Sequence, residues 1–139
     1  MPVFLLLFAV SFTGSAHAQV RWGARAGVVD GEPMIGADMI LKLGSSNFYF
    51  NPGIEVSGYG ITQNADFHYD IELTRDAALW FGAGIAAINA KDERDLNVGV
   101  NVIGGVGKKS GRYIFYTQLK RTAPSGDPAI STLAVGIRF

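Results

Sequence analysis

From Val20 to Phe139 the chain alternates apolar and polar residues in short segments, and one of the two resulting faces carries no charge. A period of two is the signature of a strand, because successive side chains point to opposite sides of a pleated backbone. The apolar face reads Val20, Trp22, Ala24, Ala26, Val28, then Ile35, Ala37, Met39, Leu41, Leu43, then Phe48, Phe50, Pro52, Ile54, Val56. It continues through Phe67, Tyr69, Ile71, Leu73, then Leu79, Phe81, Ala83, Ile85, Ala87, then Leu96, Val98, Val100, Val102, Val106. Tyr113, Phe115, Thr117, Leu119 and finally Leu133, Val135, Ile137, Phe139 complete it. Turn-forming clusters such as Asp30-Gly31-Glu32-Pro33, Gly44-Ser45-Ser46-Asn47 and Lys108 to Arg112 separate the segments. Eight short, evenly spaced strands predict an all-β protein, an eight-stranded antiparallel up-and-down barrel.

The opposite face decides which kind of barrel. It carries Arg21, Arg25, Lys42, Lys120 and Arg138 against Asp38, Glu55, Asp70 and Glu72, interleaved with glycines such as Gly23, Gly36, Gly53, Gly82, Gly84, Gly105 and Gly136. A soluble barrel of the lipocalin kind turns its apolar face inward. An eight-stranded interior, however, is just wide enough to be filled by side chains, and glycines there leave room for long charged partners. Trp22, Phe48, Phe50, Phe67 and Phe81 are too bulky for that interior and suit contact with lipid. The nine charges are therefore expected to form a lumen network, and the barrel is expected to be transmembrane.

The rest of the sequence agrees with that address. Met1 to Ala18 has the apolar run Val3 to Val10 and ends in Ala16-His17-Ala18. It reads as a secretory signal peptide (1–18) preceding a barrel domain (19–139), although its leading region has no Lys or Arg. An N-terminal anchor would need a longer apolar stretch. The longest apolar segment of the mature part, Ala77 to Ile88, is broken by Gly82 and Gly84, and a membrane chain without a spanning helix must be a closed barrel. Twelve basic and twelve acidic residues cancel, which gives no support to nucleic-acid binding, and the absence of cysteine removes thiolate chemistry. With the amino terminus periplasmic, Trp22, Phe48, Tyr113 and Phe139 are expected at one rim and Phe67 and Tyr69 at the other, as two aromatic girdles.

The stretches Phe50-Asn51-Pro52-Gly53-Ile54-Glu55-Val56, Ala65-Asp66-Phe67-His68-Tyr69-Asp70 and Leu79 to Ile85, with the ending Leu133-Ala134-Val135-Gly136-Ile137-Arg138-Phe139, resemble the small outer-membrane β-barrel family of the OmpX type. The resemblance covers residues 19–139. It implies residence in the outer membrane of a Gram-negative cell envelope, with outer-membrane lipid, lipopolysaccharide and the barrel assembly machinery as partners. It also implies that Leu133, Val135, Ile137 and Phe139 serve as the assembly signal.

Three polar constellations invite chemistry. Glu55 and Ser57 would face Asp70 and His68 if the third and fourth segments pair in the simplest register, which suggests a membrane-lipid hydrolase. A nucleophile facing a polar lumen is poorly placed for an acyl chain, so packing is the preferred account. His68, Asp70 and Glu72 share one strand face, yet a lone His with carboxylates is a weak metal set. Gly82-x-Gly84 and Gly104-Gly105-x-Gly107 lack the helix a phosphate loop requires. Asp30, Glu32, Asp66, Asp127 and the Lys91 to Asp95 cluster are placed at the external rim, where acidic groups could hold the divalent cations that bridge lipopolysaccharide. The resulting expectation is a monomeric, porin-like barrel with a structural or surface-interaction role, no catalytic residue, no cofactor and no metal. A Ser57/His68 hydrolase and a narrow small-solute channel are its rivals.

Overall fold

The computed structural model describes residues 20–139. They form eight antiparallel strands: β1 (Val20–Val29), β2 (Glu32–Lys42), β3 (Phe48–Ser57), β4 (Gly60–Glu72), β5 (Ala77–Ala90), β6 (Asn97–Ser110), β7 (Tyr113–Pro124) and β8 (Ile130–Arg138). Each strand pairs with its sequence neighbours, and β1 pairs with β8, so the sheet closes and no edge is left unpaired. The seam runs from Gly23 opposite Arg138 to Val29 opposite Thr132, and the backbone of Phe139 exchanges hydrogen bonds with Trp22.

Both chain ends of the barrel lie at one end, here the terminal end, with the connections after β2, β4 and β6. The other, the hairpin end, carries the connections after β1, β3, β5 and β7. Three connections are two-residue turns. Asp30 and Gly31 both take positive φ, 46° and 88°, the mirror-image turn that matches the twist of paired strands. Gly58-Tyr59 joins β3 to β4 and Gly111-Arg112 joins β6 to β7. Pro52 lies where the β2–β3 ladder is interrupted, because it has no N–H to give. The Asn51 side-chain amide donates to the Met39 carbonyl there instead, at 2.8 Å.

The two faces are sorted by polarity in the sense opposite to a water-soluble protein. Trp22, Ile35, Phe81, Val102, Leu119 and Val135 stand exposed on the outer wall, each more than half accessible, whereas Arg25, Asp38, Glu55, Lys120 and Arg138 are each at most 5% exposed in the lumen. The lipocalin-like alternative is thereby overturned. Lumen glycines face the largest side chains. A Cβ on Gly105 would run into the Trp80 indole, and one on Gly136 into the Tyr116 ring. This complementarity is how a narrow interior holds two large aromatics in one layer.

Two expectations about the layout are corrected. The strand containing Phe67 begins at Gly60, because the chain turns at Gly58-Tyr59 and Ile61, Gln63 and Ala65 extend the outer face. Phe67 and Tyr69 consequently pair with Phe50 and Phe48 in the terminal half and supply no second girdle. The outer aromatics Trp22, Phe48, Phe50, Phe67, Tyr69, Phe81, Phe115 and Phe139 thus form one belt in that half, and aliphatic residues dominate the hairpin half. Asp66, placed at the external rim from sequence, is instead 1% exposed in the lumen. The segment read as a signal peptide lies outside the described residues.

Candidate functional site

The lumen is crossed by a connected set of buried polar side chains contributed by seven of the eight strands. At its centre Arg25 of β1 forms an ion pair with Glu55 of β3, Nη2 to Oε1 3.0 Å, and lies 3.6 Å from Asp38 of β2. Lys120 of β7 reaches the other Glu55 oxygen at 2.5 Å and also donates to Asn64 of β4 at 3.2 Å. Arg138 of β8 donates to Asp38 at 3.0 Å. Toward the hairpin end, the amide of Asn101 in β6 donates to Asn64 and Asp66, and its oxygen accepts from Thr122. Above them Val29, Met34 and Ala134 close the interior with an apolar cluster, against which Ile130 packs.

Three cations, Arg25, Lys120 and Arg138, meet three carboxylates, Asp38, Glu55 and Asp66, so the cluster is formally neutral. Removing ions from water costs several kcal/mol each unless opposite charges and hydrogen bonds replace the lost hydration. Here each of the seven contributing strands brings one or two members at positions of inward parity, which the β-period permits without distorting the backbone.

Toward the terminal end the lumen turns aromatic. The Arg138 guanidinium lies 4.1 Å over the Tyr116 ring and 5.3 Å from that of Trp80. Trp80 donates its indole N–H to Gln118 at 3.2 Å. His68 stacks on Tyr49 with an interplanar angle of 12° and holds Asp70 through Nδ1 at 2.8 Å. A flat cation over an aromatic face is held electrostatically while its edges stay free for a carboxylate. Arg138 uses both surfaces.

Of the nine charges assigned to the lumen network, the structure brings together Arg25, Asp38, Glu55, Lys120 and Arg138. The other four have inward parity but sit at strand ends beside the terminal connections. Arg21 reaches the Arg112 carbonyl at 3.0 Å, Lys42 is half-buried, Asp70 pairs with His68 and Glu72 is exposed. Asn64 escaped the sequence reading and Asp66 was placed at the rim, although both share parity with His68 and follow a glycine that marks the turn.

The Ser57/His68 pairing does not form. Ser57 is opposite Gly60 at the hairpin end, while His68 is opposite Tyr49, eight residues back along β3, a separation of roughly 25 Å along a strand. Glu55 faces Thr62, and Asp70 lies beside the terminal connection. Among the described residues no group of three or more metal-ligating side chains converges. Of the residues expected to serve as an assembly signal, Leu133, Val135 and Phe139 are exposed on the outer wall of β8 and the chain end, and Ile137 is half-buried beside them.

No family model matches the chain, and no curated protein matches it in sequence. Solved structures do match in shape. A designed transmembrane β-barrel superposes with a TM-score of 0.68 at 10% identity, over 86% of this chain and 92% of the other. The N-terminal β-barrel domain of Pseudomonas aeruginosa OprF gives 0.67 at 16% identity, over 86% and 96%. The outer membrane enzyme PagL gives 0.59 at 14% identity, over 86% and 98%. A designed barrel, a domain of a larger protein and an enzyme share this architecture, so the likeness speaks to fold and not to activity. The chain is a closed, eight-stranded, all-antiparallel β-barrel of the architecture found in small outer-membrane barrels.

Proposed function

We propose that the protein is an integral outer-membrane barrel of a Gram-negative envelope, with a structural or surface-interaction role and no catalytic reaction. The observation that carries this reading is the inverted polarity of the wall: exposed Trp, Phe, Ile, Val and Leu outside, a neutral ion network inside. A surface of that kind has no stable arrangement in water as a monomer, and the closed sheet leaves no unpaired strand edge to hydrocarbon.

The hairpin end faces the medium and the terminal end the periplasm, which puts the aromatic belt in the inner half of the bilayer. Outer-membrane lipid and lipopolysaccharide are the immediate partners. The ending Leu133, Val135, Ile137, Phe139, which resembles that of the OmpX-type family, is presented to the barrel assembly machinery. The closed ladder and the exposed outer wall support a monomer. The buried side chains that cross the lumen argue against a solute path, and the register argues against a Ser57/His68 hydrolase.

Membrane fractionation combined with gel migration before and after boiling tests this directly. The protein is expected in the outer-membrane fraction with heat-shifted mobility. Recovery of the mature chain in the soluble periplasm removes the reading.

A further inference from the structure

Extending β7 to Pro124 puts a charge on the outer wall. Arg121 has outward parity, between Val102 of β6 and Ser131 of β8. It is exposed, donates from Nη1 to the Ser131 hydroxyl at 3.1 Å, and among the described residues has no carboxylate within ion-pair distance. The nearby carboxylate, Asp30, is held by the Ser131 amide at 2.9 Å. Arg121 is eight residues above the base of its strand at Tyr113, roughly 20 Å up a tilted wall. That is the height at which hydrocarbon gives way to headgroups.

Below Arg121 the wall is hollow. A groove of about 610 Å³ runs between Val28, Val102, Leu119 and Leu133, with Gly104 as part of its floor. Gly104 has no internal reason to be glycine: its φ is ordinary, and a Cβ there would meet nothing closer than the Trp80 carbonyl oxygen, 3.8 Å away. Gly82 and Gly84, by contrast, are pressed against neighbouring backbone. A second groove, of about 860 Å³, continues down the same wall past Ala26, Val106, Thr117 and Val135. Of the terminal-half aromatics, Phe48, Phe67, Tyr69 and Phe81 stand on β3 to β5, away from this wall, while Phe115 of β7 lines the lower groove.

We propose that the β6–β7–β8–β1 wall is a docking site for one molecule of the phosphorylated, acylated glycolipid of the outer leaflet. A lipid phosphate accepts from Arg121 and Ser131, and an acyl chain lies in the groove over Gly104. A cation at the headgroup boundary, free of any internal carboxylate and set above an apolar channel, complements a lipid that is anionic at one end and apolar at the other. The proposal rests on the outer-membrane reading above.

The test uses the folded mature barrel in nanodiscs of phosphatidylcholine, with diphosphoryl lipid A, phosphatidylglycerol or no lipid added, and bound lipid counted by native mass spectrometry. One retained lipid A is expected, in preference to phosphatidylglycerol. Arg121→Gln is expected to lower lipid A retention about tenfold. Gly104→Leu, which fills the groove without altering charge, is expected to lower it as well. Arg112→Gln, at the opposite rim, is expected to leave it unchanged. Retention by Arg121→Gln equal to that of the unaltered barrel, or equal retention of phosphatidylglycerol, overturns the lipid site while the membrane reading stands. Failure of the unaltered barrel to enter nanodiscs overturns both. Heat-shifted mobility of each variant shows that it is folded before its lipid is counted.

Discussion

Lys120 and Glu55, 65 positions apart in the chain, meet across the lumen with Nζ 2.5 Å from Oε2. Both are nearly inaccessible, and Arg25 shares the same carboxylate. Lys120→Met leaves three interior carboxylates facing two cations and is expected to destabilise the folded barrel by about 3 kcal/mol. The double variant Lys120→Met with Glu55→Gln restores neutrality and is expected to recover part of that loss. Urea unfolding in lipid vesicles reads both, and strictly additive losses would show that the two groups are not coupled.

Val106 and Asn101 lie in β6 on opposite faces, one exposed on the outer wall and the other completely buried. Val106→Arg, well below the level of Arg121, is expected to cost ~2 to 4 kcal/mol near mid-bilayer. Asn101→Leu removes the donor to Asn64 and Asp66 and the acceptor for Thr122, and its cost is expected in detergent and bilayer alike. Unfolding free energies measured in both media separate the two: only the Val106 effect depends on lipid. A Val106→Arg barrel as stable as the original in bilayers would invert the assignment of the faces.

Gly84 and Gly104 differ in what a methyl group would meet. At Gly84 it would press on the Ala65 carbonyl and on Asp66, and Gly84→Ala is expected to cost ~1 to 3 kcal/mol through forced backbone shifts. At Gly104 the space is open, and Gly104→Ala is expected to stay within about 0.5 kcal/mol of the original. Equilibrium unfolding of the two variants under one set of conditions is the check.

The interior from Trp80 and Tyr116 through the ion network to Met34 is occupied by side chains that hold one another. Planar-bilayer recordings are expected to show no stable porin-sized conductance. Steady currents that rise in Lys120→Met would instead identify the Lys120–Glu55 contact as a gate.

Phe139 contributes its side chain to the outer wall and its backbone to closure with Trp22. Phe139→Ala keeps the backbone pair and loses only apolar contact, a deficit of ~1.5 to 3 kcal/mol at most. Refolding of the pure variant in detergent is expected to succeed, while insertion in cells, measured by outer-membrane yield, is expected to fall sharply. Normal yield would leave Phe139 as an aromatic-belt residue alone.

Strand number, antiparallel closure and the sense of the two faces were legible because alternation in β1, β2, β7 and β8 is nearly uninterrupted. The β3–β4 hairpin was not. Its turn, Gly58-Tyr59, lies in no polar cluster, and the outward positions Gln63 and Ala65 are too weakly apolar to announce a strand. Starting β4 late moved Asp66 out to the rim, moved Phe67 and Tyr69 to the wrong half, and created the apparent Ser57/His68 proximity. One turn therefore accounts for all three discrepancies, as register errors in sheets generally propagate. Arg121 was missed for a related reason: the apolar pattern of β7 ends at Leu119, but the strand does not.

In the proposed orientation, the brevity of the hairpin-end turns shapes how the molecule meets proteases in the medium. Asp30-Gly31 and Gly58-Tyr59 are too tight to enter a protease cleft, and the β7–β8 connection, 125–129, contains no Lys or Arg. Trypsin added to intact cells is left with the exposed Lys91 and Arg94 between β5 and β6. A cut there divides the chain into two pieces that remain zipped along β5–β6 and along β1–β8. A nicked protein of this kind keeps its shape until it is boiled, so surface cleavage would pass unnoticed except on a denaturing gel.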